Sequence, residues 1–154
     1  MNAEHVFFRL ATAADLPALL ALLVDDTIAQ ARGGYSTDVT LQVAAAFESI
    51  ERDPNNEIWL GERNGEIVAL LQLTLIPGLS RGGMWRALVE AVRVRADLRG
   101  RGIGEALMRH VEQRAREAGC GLVQLTTDRQ RLAAHRFYAR LGYVASHVGM
   151  KKKL

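Results

Sequence analysis

The sequence has little of several features that mark particular classes of protein. It contains one cysteine, Cys120, and therefore cannot form an intrachain disulfide. No apolar run approaches the roughly 18 residues that a membrane-spanning helix needs. Residues 1–10 lack the basic and apolar regions of a signal peptide. We therefore expect a cytoplasmic protein without a membrane partner.

Aromatic residues are also few, at 6% of the chain, and no RNA- or DNA-binding motif is present. These absences count against a nucleic-acid-binding module, which the net charge of +3 and the isoelectric point near 9.4 would otherwise favour. The four histidines lack the His-x-x-x-His or carboxylate spacing of a zinc site; they are His5, His110, His135 and His147. We therefore expect no metal and no nucleic-acid partner.

Charge is present but unevenly distributed. Residues 1–56 hold eight acidic and three basic side chains, a net charge of −5. Residues 57–154 hold nine acidic and 17 basic side chains, a net charge of +8. The basic part would suit a polyanionic ligand, and the acidic part would suit a cation. Both parts are also explained as solvated faces, and charge alone favours that explanation.

The length of 154 residues predicts a single domain over residues 1–154. Hydrophobic periodicity and turn residues predict strands over 5–10, 57–63, 66–76, 84–95, 121–127 and 143–153, and helices over 16–30, 40–52, 102–119 and 131–141. Asn64-Gly65 predicts a tight hairpin between the second and third strands, and residues 77–83 are expected to form a flexible loop. This order of elements predicts an α/β fold, a mixed sheet with helices on both faces.

The most informative segment is 92–104, VRVRADLRGRGIG, in which a strand runs into a glycine-rich turn that opens a helix. The first backbone N–H groups of a helix have no acceptor within it, so this turn predicts an anion site that the helix dipole reinforces. Glycine has no Cβ and lets the backbone approach phosphate oxygens closely. Arg99 and Arg101 add positive charge.

Two common phosphate-binding loops fit this segment poorly. A Walker A loop needs Gly-Lys-Ser/Thr, which the chain lacks. A Rossmann fingerprint needs Gly-x-Gly-x-x-Gly early in the fold, whereas here glycines stand at 100, 102 and 104, and most of the predicted sheet precedes them. Because Asp128 can imitate the ribose-binding acid of that fold, a nucleotide site stays as a minor alternative.

Arg99-x-x-Gly102-x-Gly104 resembles the pyrophosphate-binding loop of the GNAT acetyltransferases, and it lies at the strand-to-helix junction where that family has the loop. A second segment, 134–143 (AHRFYARLGY), is similar to the family's helix, tyrosine and Gly-aromatic sequence. The resemblance covers nearly the whole chain and is weakest over 11–56. It implies the GNAT fold, with a mixed, mostly antiparallel sheet of six to seven strands and helices on both faces.

The resemblance also implies direct transfer of an acetyl group from acetyl-CoA to an amine in an ordered ternary complex. The backbone of Val92 and Val94 would bind the pantetheine arm, and an N–H near Val92 would stabilise the oxyanion. Glu90 would accept the proton of the ammonium, and Tyr138 would protonate the departing thiolate. The pyrophosphate would be held by the backbone amides of six consecutive residues: Arg99, Gly100, Arg101, Gly102, Ile103 and Gly104.

Some of these assignments have simpler alternatives. Many family members carry Asn seven residues before the tyrosine, where this chain has Arg131, and an arginine there would meet a CoA phosphate instead. Tyr138 can be a core aromatic. Glu90 can be an ion-paired strand residue while a water chain acts as the base. Cys120 is better explained as a small buried hydrophobe than as an acyl carrier.

The sequence leaves the acceptor open. The last third of the chain resembles bacterial aminoalkylphosphonate N-acetyltransferases, which implies an aminophosphonate, but residues 77–83 lack the histidine expected there. Asp25 and Asp26 lie beyond the apolar stripe of the first predicted helix. They predict a cationic small-molecule amine as substrate, or else they only solvate a helix end. An acceptor that is a protein N-terminus or a lysine is less favoured.

Two further possibilities stay open. The first is a catalytically silent sensor that binds acyl-CoA on the same fold. The second concerns assembly, because dimers are common in this superfamily and the predicted strand at 143–153 is a plausible contact for a homodimer.

Overall fold

The computed structural model describes residues 5–34 and 36–154. The chain divides into two compact units, of which the first extends to Gln124 and the second is Leu125–Leu154. The single domain expected over residues 1–154 stays a prediction. None of the described helices is long and apolar enough to cross a membrane.

The first unit is built on a sheet with the strand order β1-β2-β3-β4-β5, in which β1 to β4 pair antiparallel. The strands are β1 (Phe7–Leu10), β2 (Asn56–Arg63), β3 (Glu66–Ile76), β4 (Trp85–Val94) and β5 (Cys120–Leu125), whose last residue begins the second unit. Asn64 and Gly65 connect β2 to β3 with φ of 52° and 78°. A two-residue type I′ turn requires positive φ at both positions, so the predicted hairpin is confirmed.

Helices cover both faces of this sheet, as predicted. Leu70 of β3 belongs to a core cluster with residues of β2, α1 (Leu16–Val24) and α3 (Leu41–Arg52): Leu16, Leu19, Leu22, Phe47 and Leu60. Leu71 points to the opposite face and is fully buried. Trp59, the cross-strand partner of Leu71, contacts His110 of α5 (Ile103–Glu117), which assigns α5 to that second face.

The helix predicted over 16–30 is wrong, because the structure has two helices there. α1 ends at Val24, and α2 (Thr27–Arg32) begins after Asp26. The Oδ1 atom of Asp26 accepts hydrogen bonds from the N–H groups of Ile28 (3.1 Å) and Ala29 (3.4 Å). Aspartate is a strong N-cap, since its short carboxylate reaches the unpaired amides of a first turn. The apolar pattern continues across this break and therefore did not reveal it.

The expected six to seven strands are also wrong, since the described residues form five. The strand predicted over 143–153 is absent from the second unit, where Val144, Val148 and Met150 are exposed. A strand exists only where a neighbour accepts its backbone hydrogen bonds, and alternation of side chains does not supply that neighbour. The expected loop at 77–83 contains one kinked turn, α4 (Ser80–Gly83).

Candidate active site

Strand β4 carries a bulge at the position where the sequence placed the pantetheine arm. Its register with β3 shifts between Leu70 and Gln72, so that Ala91 and Val92 together lie opposite a single residue of β3. Ala91 has a φ of 54°, which non-glycine residues rarely adopt. A bulge bends its strand and interrupts the hydrogen-bond ladder. Val92 and Val94 therefore lie on a strand whose regular pairing is broken.

The glycine-rich loop follows β4 after a short 3-10 turn, Ala96–Leu98. Gly100 and Gly102 have φ of 76° and 81°, and a Cβ built on either residue would meet no atom within 4 Å. The space beside both glycines is open, and their backbone conformation is one that side-chain-bearing residues adopt only with strain. Arg101 is exposed between them.

The loop leads directly into the N-terminus of α5. Gly102 is the N-cap of this 15-residue helix, and no side chain caps it. The first backbone bond of the helix runs from the N–H of Ala106 to the carbonyl of Gly102 (3.0 Å). The N–H groups of the three residues in between therefore have no acceptor within the helix. These N–H groups and the helix dipole are suited to an anion, and the anion site itself stays a prediction.

Asp25 contacts the entrance of this loop. Its Oδ2 atom accepts a hydrogen bond from the N–H of Ala96 (3.1 Å), and its carbonyl oxygen accepts one from Nη2 of Arg99 (2.8 Å). The same Nη2 lies 3.8 Å from Oδ2 of Asp25. Nε of Arg99 donates to the carbonyl of Val94 (3.1 Å). The guanidinium of Arg99 is thus bound at the loop entrance, so in the predicted anion site the attraction for an anion would come from the amides and Arg101.

Asp26 contacts β4 itself. Its Oδ2 atom lies 3.3 Å from Nη2 of Arg93, and the two side chains are only 9% and 14% exposed. Nη1 of Arg93 also donates to the carbonyl of Val92 (2.9 Å). Both aspartates that the sequence assigned to a cationic amine are therefore engaged with β4 or the loop, and their role toward an amine stays a prediction.

Glu90 is exposed on β4, four residues before Val94. Its cross-strand partner is Gln72, which donates through Nε2 to Oδ1 of Asn56 (3.3 Å). The hydroxyl of Thr74 donates to the same oxygen (2.8 Å). These polar side chains make a hydrogen-bonding surface beside Glu90, so an acceptor there would meet both a carboxylate and neutral polar groups.

Tyr138 lies in the second unit, on α6 (Leu132–Arg140), and the end of this helix orients it. Gly142, with a φ of 91°, donates its N–H to the carbonyl of Ala139 (3.0 Å), and the N–H of Tyr143 donates to the carbonyl of Tyr138 (3.0 Å). This bond pair is a Schellman motif. It brings the ring of Tyr143 to 5.8 Å from the ring of Tyr138, edge to face.

Arg131 directly precedes α6. Its N–H donates to the carbonyl of Asp128 (3.0 Å), and its own carbonyl accepts from the N–H of His135 (3.0 Å). These bonds fix the backbone at the start of the helix. The assignment of the Arg131 guanidinium to a phosphate, and of Tyr138 to the sulfur, stays a prediction.

Two further features bear on the chemistry of the site, namely the arrangement of potential metal ligands and the state of Cys120. In the ranges 5–34 and 36–154, no group of three or more His, Cys, Asp or Glu side chains is arranged to hold a metal. Burial raises the pKa of the Cys120 thiol. A raised pKa disfavours the nucleophilic thiolate, which agrees with Cys120 as a small hydrophobe.

Residues 18–143 match the acetyltransferase (GNAT) family. Over 102 residues the chain is 38% identical to the aminoalkylphosphonate N-acetyltransferase of Salmonella typhimurium, a match that spans 66% of each protein and thus just under two thirds of that relative. The structure is similar to that of a Bacillus halodurans protein described as a transcriptional regulator (TM-score 0.92, 43% identity, 97% of this chain and 100% of the other). It is also similar to a Trypanosoma brucei acetyltransferase (TM-score 0.78, 25% identity, 97% and 100%).

The chain belongs to the GNAT acetyltransferase family. The predicted family and class of enzyme are therefore confirmed, as is the similarity to an aminoalkylphosphonate N-acetyltransferase. The fold is the expected one of a mixed sheet with helices, although it has fewer strands than expected.

The sequence missed two features of the site. The bulge at Ala91 gave no signal, because alanine is not a residue that favours positive φ. The contacts of Asp25 with Ala96 and Arg99 were also missed, since they join positions 71 and 74 residues apart. The N-cap preference of aspartate was the one available signal that the helix breaks at Asp26.

Proposed function

We propose that this chain transfers the acetyl group of acetyl-CoA directly to a primary amine of a small molecule, in an ordered ternary complex. One observation carries the proposal. A bulged strand leads into an open glycine-rich loop and an uncapped helix N-terminus, and an exposed carboxylate, Glu90, lies just upstream of the bulge.

The residues of this segment suit the successive parts of acetyl-CoA. The backbone of Val92, at the break in the ladder, and of Val94, just beyond it, would bind the pantetheine arm. The pyrophosphate would accept hydrogen bonds from the amides of residues 99–104. The cationic side chains of Arg101 and Arg131 would add attraction for the phosphates.

Two side chains transfer protons in the proposed reaction. The ammonium of the acceptor, whose pKa in water is about 10, gives its proton to Glu90, and the free amine attacks the thioester carbonyl. The attack forms the C–N bond of a tetrahedral intermediate. The C–S bond then breaks as Tyr138 protonates the leaving sulfur, and the second proton of the attacking nitrogen restores the Tyr138 hydroxyl. A backbone N–H near Val92 would donate to the oxyanion of the intermediate.

Two observations bear on the acceptor. The relative that is 38% identical acts, by its name, on aminoalkylphosphonates. The engagement of Asp25 and Asp26 with Arg99 and Arg93 weakens the reason for a cationic amine. An aminoalkylphosphonate is therefore the first acceptor to test, ahead of polyamines and aminoglycosides.

A second candidate function has support of its own. The Bacillus halodurans protein that is 43% identical is described as a transcriptional regulator. The corresponding proposal for this chain is a regulator that binds acyl-CoA without transferring the acyl group. Binding of acetyl-CoA with no release of CoA to any amine would favour it.

Calorimetry with acetyl-CoA tests the binding site common to both functions, and α5 offers a matched pair of variants. Gly102 and Gly119 both have φ of 81°, and a Cβ on either meets no atom within 4 Å. Gly102→Ala and Gly119→Ala therefore introduce the same backbone strain at opposite ends of the helix. We expect Gly102→Ala to raise the Kd about tenfold, because its methyl group stands beside the anion site.

Gly119→Ala is expected to leave the Kd unchanged. Equal affinities of both variants and the wild type would overturn the assignment of the loop to the pyrophosphate.

A further inference from the structure

We propose that Asp25 is a positioning residue that fixes the entrance of the glycine-rich loop and so sets the affinity for acetyl-CoA. The inference rests on the proposed function, and it gives Asp25 a role other than binding the amine. In this role Asp25 acts through the loop backbone and does not contact acetyl-CoA.

The contacts of Asp25 span the start of the loop. Its carboxylate accepts from the N–H of Ala96, which is the first residue of the 3-10 turn that follows β4. Its carbonyl accepts from Arg99, three residues further on, which also donates to the carbonyl of Val94. One residue between α1 and α2 thus joins the end of the strand to the start of the loop.

The neighbouring residue strengthens this attachment. Asp26 pairs with the largely buried Arg93, which also donates to the carbonyl of Val92. Asp26 caps α2 as well. The junction of α1 and α2 is therefore tied both to the bulged part of β4 and to the loop, and its position determines where the loop begins.

The direction in which the affinity for acetyl-CoA changes distinguishes an anchoring role of Asp25 from a simple effect of its charge. An acidic side chain close to an anion site repels the phosphates, so its removal alone would tighten binding of acetyl-CoA. Loss of an anchor has the opposite result, because a mobile loop must be ordered before it binds. Weaker binding of acetyl-CoA after removal of the Asp25 side chain would therefore show that this side chain anchors the loop.

Three variants of the full chain test the proposal. Asp25→Ala removes the side-chain acceptor, whereas Asp25→Asn keeps an oxygen for the N–H of Ala96 without the charge. Asp97→Ala is the control. Asp97 is an acidic residue of the same segment, but its carboxylate pairs with Arg95. The readouts are the Kd for acetyl-CoA by calorimetry, the KM for the amine, and amide hydrogen exchange over residues 95–104.

We expect Asp25→Ala to raise the Kd for acetyl-CoA about fivefold, the effect of losing one hydrogen bond, because the bond from Arg99 to the backbone carbonyl is retained. Asp25→Asn should restore the Kd to within about twofold of the wild type, and Asp97→Ala should bind no more weakly than the wild type. Exchange over 95–104 should be faster in Asp25→Ala alone.

Unchanged or tighter binding by Asp25→Ala, with unchanged exchange, would overturn the proposal. A higher KM for the amine with an unchanged Kd for acetyl-CoA would also overturn it, and would indicate that Asp25 binds the acceptor amine. If the wild type does not bind acetyl-CoA, the proposed function fails, and the exchange data still decide whether Asp25 holds the loop.

Discussion

At the scale of single residues, the two side chains assigned to proton transfer have different surroundings. Glu90 is exposed on β4 and lies opposite Gln72, which donates a hydrogen bond to Asn56. Tyr138 packs edge-on against the rings of Phe137 and Tyr143. Solvent base can therefore replace Glu90, whereas the orientation of Tyr138 depends on its helix.

Glu90→Gln is expected to lower kcat/KM at pH 7 by about 10²-fold, the usual contribution of a general base. Without that base the rate follows the fraction of free amine, which rises about tenfold per pH unit up to a pKa of about 10. The deficit should therefore narrow steadily as pH rises. The measurement is kcat/KM between pH 6.5 and 9.5, with the exposed Glu51→Gln on α3 as control.

An equal deficit at every pH would show that Glu90 serves another purpose than proton transfer. The absence of any deficit would leave the base role to water.

At the scale of elements, three features of the fold and the site could be predicted from the sequence because each depends on neighbouring residues. The turn at Asn64-Gly65, the glycine-rich loop and the helix after it are determined within a few positions. The bulge at Ala91 could not be predicted, since it arises from pairing between β3 and β4. The strand expected at 143–153 failed for a related reason, because a strand also needs a partner.

The end of α6 offers a prediction about element stability. Gly142→Ala places a side chain at a φ of 91° and should destabilise the Schellman motif by about 1 kcal/mol, although its Cβ meets no atom within 4 Å. Because the motif positions Tyr143 against Tyr138, kcat should fall as well. Denaturant unfolding and steady-state kinetics measure the two effects.

Gly149→Ala is the matched control in the same unit. Gly149 does not have a positive φ, and a Cβ there would lie in ordinary contact, 3.5 Å from Cγ2 of Thr126. If both variants unfold at the same denaturant concentration, the positive φ of Gly142 is not a constraint.

At the scale of the whole molecule, the first unit is held by its two-sided core and by an ion-pair network at the start of the chain. Arg9 on β1 donates to both carboxylate oxygens of Asp15 (2.8 and 2.9 Å) and to Glu62 of β2 (2.9 Å). Asp15 also accepts from the N–H of Thr12 (2.7 Å), as in a capping box. The network joins the sheet to the turn that precedes α1.

This network predicts a loss of stability in acid. The bonds from Arg9, and next those from Thr12, lower the pKa of Asp15 from 3.8 to about 2 in the folded protein. A lowered folded-state pKa stabilises the fold fully above pH 3.8, and the contribution is lost as pH falls toward 2. Asp15→Asn should be less stable than the wild type at pH 6, and the difference should shrink below pH 3.8.

Urea unfolding between pH 2 and 7 measures this difference, with the exposed Asp38→Asn as control. A difference that does not change with pH would mean that the charge of the Asp15 carboxylate contributes nothing to the free energy of unfolding.

The cytoplasmic location and the homodimer through 143–153 stay predictions of the sequence. Sedimentation of the purified chain tests the homodimer.

The proposed acetyl transfer is tested most directly by the release of free thiol from acetyl-CoA at pH 8 in the presence of 2-aminoethylphosphonate, spermidine, an aminoglycoside and free amino acids. We expect turnover of at least one of these amines, reduced about 10²-fold in Tyr138→Phe because the acid for the thiolate is lost. Binding of acetyl-CoA without thiol release from any amine would contradict the transferase and favour the regulator. Failure to bind acetyl-CoA would contradict both.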